Sequence, residues 1–441
     1  MAPLSDATVA SRQRLADRPV VTSTLTKWTQ VDDGTCGHEL EGTVSSIEWT
    51  SARDACGAMP GDQVDTPMSC MVTGLSPAIA YHLPNPAFST PDTSEGDRRA
   101  TNPSAGDATS ARSFSRGIWI GRDEIAQLPT FGPAWQNLRS AADSRCGTPD
   151  LSNQNQSTNV CVMAKALVFA RTGQARYRGD VVTAVRSLAN SGRYSGTALS
   201  LGRELGAYVI AADLIDLERH DPILDALFRV KLAALLTTHT FGAADDLIDC
   251  NERRPNNWGT HCGATRAAIA VYLDDAQELA RTAQVFRGYL GDRAAYVGFK
   301  YGGPSGQEDL SWQCDESRPV GINPVGCVKY GLSLDGVLPD DQRRGGSFTT
   351  SPPKENYVWE ALQGALVQAV ILDRAGYPAF EWEDRALLRA VRWLHDVADY
   401  PAVGDDTWLP YIVNNYYGTS FPTESPARYG KNAGWTDWTH R

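Results

Sequence analysis

From about residue 115 the chain alternates apolar and charged positions at the spacing of amphipathic helices. RDEIAQL and AWQNLRSAADS open the series. NVCVMAKALVFARTG (159–173) and RYRGDVVTAVRSLANSG (176–192) repeat one layout, an apolar stripe closed by glycine. GRELGAYVIAADLIDLE, PILDALFRVKLAALLTTHT, CGATRAAIAVYL and DAQELARTAQVFRGYLG follow, then NYVWEALQGALVQAVILDRAG and EDRALLRAVRWLHDVADY. Recurrence at i, i+3, i+4 and i+7 predicts helices, and Gly or Pro at the ends predicts where they stop. Polar, Gly-rich intervals at 239–259, 298–356 and 401–441 read as long loops. Residues 1–112 are different: rich in Ser, Thr, Pro, Gly and Asp, with weak periodicity. SSIEWT and CMVTGL read there as short strands, and 86–113 as a loop or linker.

Helix after helix without a strand period predicts an all-α fold of helical hairpins. Closed on itself, such an array is an (α/α) toroid or incomplete barrel; an open solenoid would show a fixed repeat, and none is present. The predicted domains are an irregular or small β-containing segment, 1–112, and a helical domain, 113–441. In that architecture the long loops gather at one end of the helices and line a cleft.

With 42% hydrophobic and 21% charged residues, the 441-residue chain has a globular composition. No apolar run approaches the ~18 residues of a membrane span. The first residues hold no apolar signal core, which reads as a chain whose leader has been removed. A net charge of −11 makes nucleic acid a poor partner. Nine cysteines without a CxxC pair point away from zinc and towards disulfides. Local pairing suggests Cys146 with Cys161, Cys250 with Cys262 and Cys314 with Cys327; two of Cys36, Cys56 and Cys70 would make a fourth bridge. An oxidising compartment, secreted or periplasmic, is the expectation.

The densest chemistry lies in PNNWGTHCG, 255–263, where two amides, Trp258 and His261 crowd a predicted helix start. Each has a plain structural reading: an amide can cap, Thr260 can cap, and a lone histidine is often a hydrogen-bonded structural residue. Further on, DGVLPDDQRRGG (335–346) carries Arg344, and Tyr357 opens the helix YVWEALQGALVQAV. Arg344 falls six residues after Leu338, and Tyr357 six before Gln363. With the Asn-Asn pair, this spacing resembles the alginate lyase-type polysaccharide lyases, which have an (α/α) toroid. The resemblance covers roughly 115–441. It departs where that family places His directly after Asn-Asn: Trp258 stands there, and His261 comes three residues later. A divergent branch of uronate-polysaccharide lyases is what the resemblance implies.

Such an enzyme breaks a 1,4-linked uronate polymer, alginate or glucuronan in type, by β-elimination. The C5 proton can leave only if the carboxylate beside it is neutralised by strong hydrogen-bond donors. The resemblance assigns that work to Asn257, assisted by Asn256 or His261. Arg344 would hold the carboxylate or stabilise a phenolate. Tyr357 would be base and acid when proton and leaving oxygen share a face; His261 would be the base when they do not. Candidate substrate contacts are Asn256, Trp258, Arg203, Arg254, Trp312 and Lys431, with Lys354 near them; Trp408, Trp435 and Trp438 also suit sugar stacking. No metal or other cofactor is required. The expected partner is an acidic polysaccharide, met by a monomer without nucleic acid or membrane. Two other readings stand. A toroid glycoside hydrolase would use paired carboxylates from Glu308, Asp309, Asp315, Glu316 and Asp335. A carbohydrate-binding protein would keep the aromatics and tolerate loss of Tyr357.

Overall fold

The computed structural model describes residues 117–242, 244–301 and 309–441, and the backbone of two short strands nearer the start. The chain divides into two compact units, Met1–Ala105 and Gly106–Arg441. In the first unit, β1 (Trp28–Gln30) pairs antiparallel with β2 (Cys36–His38), Trp28 opposite His38. The strands expected in SSIEWT and CMVTGL, the 86–113 linker and a fourth disulfide lie outside the described residues.

The second unit is helical. Its helices are α1 (Arg122–Gln127), α2 (Pro133–Asp143), α3 (Thr158–Thr172), α4 (Ala175–Ala189), α5 (Ala198–Leu214), α6 (Leu217–His220), α7 (Pro222–Leu236) and α8 (Leu247–Arg253). They continue with α9 (Asn257–Tyr272), α10 (Ala276–Leu290), α11 (Pro339–Gln342), α12 (Tyr357–Arg374), α13 (Trp382–Asp396), α14 (Leu409–Tyr417) and α15 (Thr436–Thr439). One small hairpin, β3 (Val328–Lys329) with β4 (Leu332–Ser333), interrupts them. No described helix is long and apolar enough to cross a membrane.

Two kinds of helix are present, and composition separates them. In α5, α9 and α12 almost every residue is buried, including the polar ones. Apolar or small residues on all sides can be accommodated only inside. Helices α4, α10 and α13 bury one face and leave charged residues outside. The inner helices pack in the order α3, α5, α9, α12; α4 and α10 lean on the inner helix that precedes each in the chain, and α13 packs against α10 and α12.

Glycine sets the spacing of the inner row. A Cβ on Gly202 would stand 2.8 Å from the backbone nitrogen of Cys262, and one on Gly206 2.8 Å from the Thr265 hydroxyl. Between α9 and α12, a Cβ on Gly364 would meet the backbone nitrogen of His261 at 2.4 Å, and one on Gly263 would meet Gln368. Contacts advance together along both members of each pair, so α5, α9 and α12 are parallel. Their N-termini face the same end, and the candidate site residues gather there.

The three expected local disulfides form: Cys146–Cys161, Cys250–Cys262 and Cys314–Cys327. Trp312, proposed as a substrate contact, is fully buried. Its indole donates to the Gly346 carbonyl (2.7 Å), and its ring sits edge-on to Phe348 and Trp393. A ring enclosed on its faces cannot stack on a sugar. Trp408, Trp435 and Trp438 are buried too, their indoles donating to the carbonyls of Asp405, Val160 and Pro129.

Candidate active site at the helix N-termini

The site begins with the start of α9. Pro255 and Asn256 end the preceding turn, and Asn256 takes the extended backbone of an N-cap, its side-chain oxygen accepting from the Trp258 amide (3.2 Å). The cap is therefore Asn256, not Thr260. Thr260 lies inside the helix, its hydroxyl donating to the Asn257 carbonyl (3.2 Å), and His261 falls in the second turn. The short helix α11 completes the cap. Asp340 accepts from the Asn256 amide (2.7 Å), and Asp341 from the Asn257 backbone N–H (3.1 Å). Carboxylates belong at a helix N-terminus, whose unpaired N–H groups carry partial positive charge. Burial, followed by the Asp340 charge, pushes the Asp341 carboxyl well above its usual range. The side-chain amide of Asn257 is buried, and neither of its polar atoms has a hydrogen-bond partner within the chain.

One turn deeper, α5, α9 and α12 meet in a charged cluster. Arg203 forms an ion pair with Glu360, both largely buried. His261 Nε2 lies 3.9 Å from the same Glu360 oxygen, too long for a hydrogen bond. Complete burial pushes the imidazole down to about 4, so it is neutral at ordinary pH. Burial works against the Glu360 carboxylate, yet the contact with His261 and the charge of Arg203 hold its pKa below the usual range.

The C-terminal loop closes the cluster. The Gln363 side chain donates to Asp406 (2.8 Å) and accepts from the Lys431 backbone N–H (2.7 Å). The Lys431 amine pairs with Asp405 (2.9 Å), and Asn159 at the start of α3 donates to the Lys431 carbonyl (2.8 Å). Beside Arg203, Glu204 is fully buried, and neither carboxyl oxygen has a hydrogen-bond partner within the chain. Burial pushes it up to about 9, so it is protonated at neutral pH.

Tyr357 stands at the rim as the first residue of α12, three residues before Glu360. It is 38% exposed, whereas His261 is enclosed. Arg344, in the 3₁₀ turn Arg343–Gly345 after α11, lays its guanidinium 4.1 Å from the Tyr357 ring centre, a cation–π contact. Arg343 pairs with Asp340 (2.9 Å), tying this turn to the α9 cap. Arg254 lies over the Trp258 ring (5.4 Å), its pKa lowered by burial. Lys354 pairs with exposed Asp399 (3.6 Å).

The sequence-predicted residues Asn256, Asn257, His261, Arg203, Lys431, Arg344 and Tyr357 thus lie at one end of the inner helices, with Trp258 and Arg254 at the α9 start. Trp312 does not join them. The residues not singled out beforehand are Glu360, Glu204, Gln363 and Asp406. A signal existed for one of them: Glu204 stands beside Arg203 in a helix that is mostly apolar.

Carboxylates proposed for hydrolysis are otherwise engaged. Asp309 caps Ser311 and accepts from Ser347, Asp315 accepts from Ser317, Glu316 pairs with Lys329 and Asp335 with Arg389. Glu308 lies outside the described residues. Among the described residues no group of three or more His, Cys, Asp or Glu could hold a metal ion. No protein-family model matches the chain, and no curated protein matches it.

Proposed function

We propose that the chain is a polysaccharide lyase cleaving a 1,4-linked uronate polymer by β-elimination, on an incomplete (α/α) toroid of which the inner row α3, α5, α9, α12 forms the wall. The observation that carries the reading is Tyr357, exposed beneath the Arg344 guanidinium at the same helix ends as Asn257 and the Arg203–Glu360–His261 cluster. Parallel helix N-termini and these cations favour an anionic ligand despite the negative net charge.

In this mechanism the substrate carboxylate meets Arg344, which stabilises the charge that spreads onto it as the C5–H bond breaks; the Asn257 amide, enclosed in the free protein, joins it only if the start of α9 opens on binding. Tyr357, as phenolate, takes the C5 proton. The electron pair left behind forms the C4–C5 double bond and expels the glycosidic oxygen at C4. The phenol then returns its proton to that oxygen, so one group serves as base and acid. Of Tyr357 and His261, only the phenol reaches solvent, which favours it over the histidine as base. His261 and Glu360 then position the α9 and α12 starts. The three disulfides suit an oxidising, extracytoplasmic setting.

Incubation with polymannuronate, polyguluronate and polyglucuronate tests the proposal, because elimination leaves an unsaturated uronate absorbing in the near ultraviolet. Tyr357→Phe should lower that rate by roughly 10²-fold or more, the usual scale of a lost acid–base group. A variant as fast as the parent would remove Tyr357 from the mechanism. One observation favours a second reading, hydrolysis: Glu204, next in sequence to Arg203, is held protonated, whereas Glu360, the ion-pair partner of Arg203, is held ionised, two carboxyls tuned apart. New reducing ends without ultraviolet absorbance would select it.

A further inference from the structure

We propose that the tip of the β3–β4 hairpin is a distal sugar-stacking subsite, with Tyr330 offering its ring to a pyranose of the bound uronate chain; the inference rests on the polysaccharide reading above. Tyr330 is 80% exposed, the most exposed of the large apolar and aromatic side chains described. Its ring stacks on Phe348 at 5.9 Å with planes inclined by 25°, so one face is backed and the other is open. Phe348 rests in turn on the edge of buried Trp312 (5.0 Å, 88°). The tryptophan expected to touch substrate is, on this view, the foundation of the residue that does.

The platform is rigid. The Cys314–Cys327 bridge ends immediately before β3, and the Leu334 N–H donates to the Cys327 carbonyl (2.8 Å). Lys329 donates to the carbonyl of Ser311 (2.7 Å) and to Glu316 (2.9 Å). The Ser311 hydroxyl accepts from the Phe348 N–H (2.8 Å). A stacking partner held in place loses little freedom on binding.

The turn itself argues that the ring is there for a purpose. Lys329 pairs with Leu332, leaving Tyr330 and Gly331 as a two-residue loop, and both have positive φ, 50° and 81°. Such a turn favours Asn-Gly or Asp-Gly, and an aromatic residue in the left-handed region is strained. The chain tolerates that strain at a position whose side chain points to solvent, the pattern of strain held at functional sites. Aromatic faces carry partial negative charge and attract the weakly positive C–H groups on a pyranose face. The platform also connects to the reacting end. Phe348 is four residues beyond Arg344, no more than about 14 Å of extended chain, and Arg344 lies on Tyr357.

Tyr330→Asn is the decisive variant, since it removes the ring while installing the residue the turn prefers. Binding is read by affinity electrophoresis through gels containing each of the three polyuronates, using full-length protein carrying Tyr357→Phe to arrest cleavage. Adding Tyr330→Asn should weaken retardation roughly tenfold, the scale of one aromatic contact, while the melting temperature stays level or rises. Tyr330→Phe and Tyr330→Trp should bind like the Tyr330 protein. Unchanged retardation with Tyr330→Asn overturns the inference, as does an equal loss in all three variants or a protein retarded by none of the polymers. The ultraviolet assay on chains with Tyr357 intact separates the two claims. Retardation lost with Tyr330→Asn, without any absorbing product from the parent, would sink the elimination chemistry and keep the subsite.

Discussion

Replacing Glu204 with Gln should stabilise the protein, and by an amount that grows with pH. The carboxyl is fully buried without a hydrogen-bond partner in the chain, and burial lifts it to about 9. In the unfolded chain the same group titrates near 4.3. Between those values the folded protein holds a proton that the unfolded chain releases, so unfolding is increasingly favoured as pH rises. At pH 7 the cost is about 4 kcal/mol, and it increases by about 1.4 kcal/mol per unit until the folded group itself ionises near 9. Glutamine keeps the shape and removes the titration. Its own buried amide carries an offset of roughly 1 kcal/mol that does not vary with pH, so the slope is the decisive quantity. Urea midpoints for parent and variant at pH about 5.5, 7 and 8.5 would be compared by linear extrapolation. His261, held down to about 4, and Asp406, pushed up to about 8, titrate in both proteins and cancel in the difference. A difference that stays flat across that range would mean Glu204 is already ionised in the folded protein, and the account of its burial would be wrong.

Two other substitutions probe the frame. Gly364→Ala should destabilise by about 1–3 kcal/mol through overpacking against the His261 backbone, and should lower activity by separating His261 from Glu360; Gly179→Ala, a helical position with nothing within 4 Å, should instead gain up to about 1 kcal/mol in the same thermal melts. Replacing Cys250 and Cys262 together with Ala should cost about 3 kcal/mol by loop entropy, read as a lower urea midpoint, and should lower activity first at high temperature, because the bridge spans Asn256 and Asn257.

Much of the helical frame was legible because its signals are local. The apolar stripe of 159–173 ended at Gly173, and the helix Thr158–Thr172 ends there with that glycine left-handed. The three short-range disulfides followed from spacing alone. Errors arose where distant residues decide. The start of α9 lies five residues before Cys262, where the apolar pattern CGATRAAIAVYL begins. Asp340 and Asp341, more than eighty residues away, extend the helix back to Asn257 by satisfying its first turn. The β3–β4 hairpin escaped notice because two-residue strands have no period to read. Tryptophans in loops suggested stacking, but loops here fold inward over the helix ends and bury them, leaving a tyrosine outside. Glu360 lay in plain view three residues after Tyr357, yet its partners Arg203 and His261 come from other helices.

The absent side chains of Gly202, Gly206 and Gly364 have a bearing on descent. Where two backbones touch, almost any mutation is a collision, so those positions can drift very little. The loops at the helix ends face no such veto and are at liberty to diversify. Kinship to this chain would then be written in blanks, the places along each inner helix where lineages keep having no side chain, more durably than in any residue that meets a ligand.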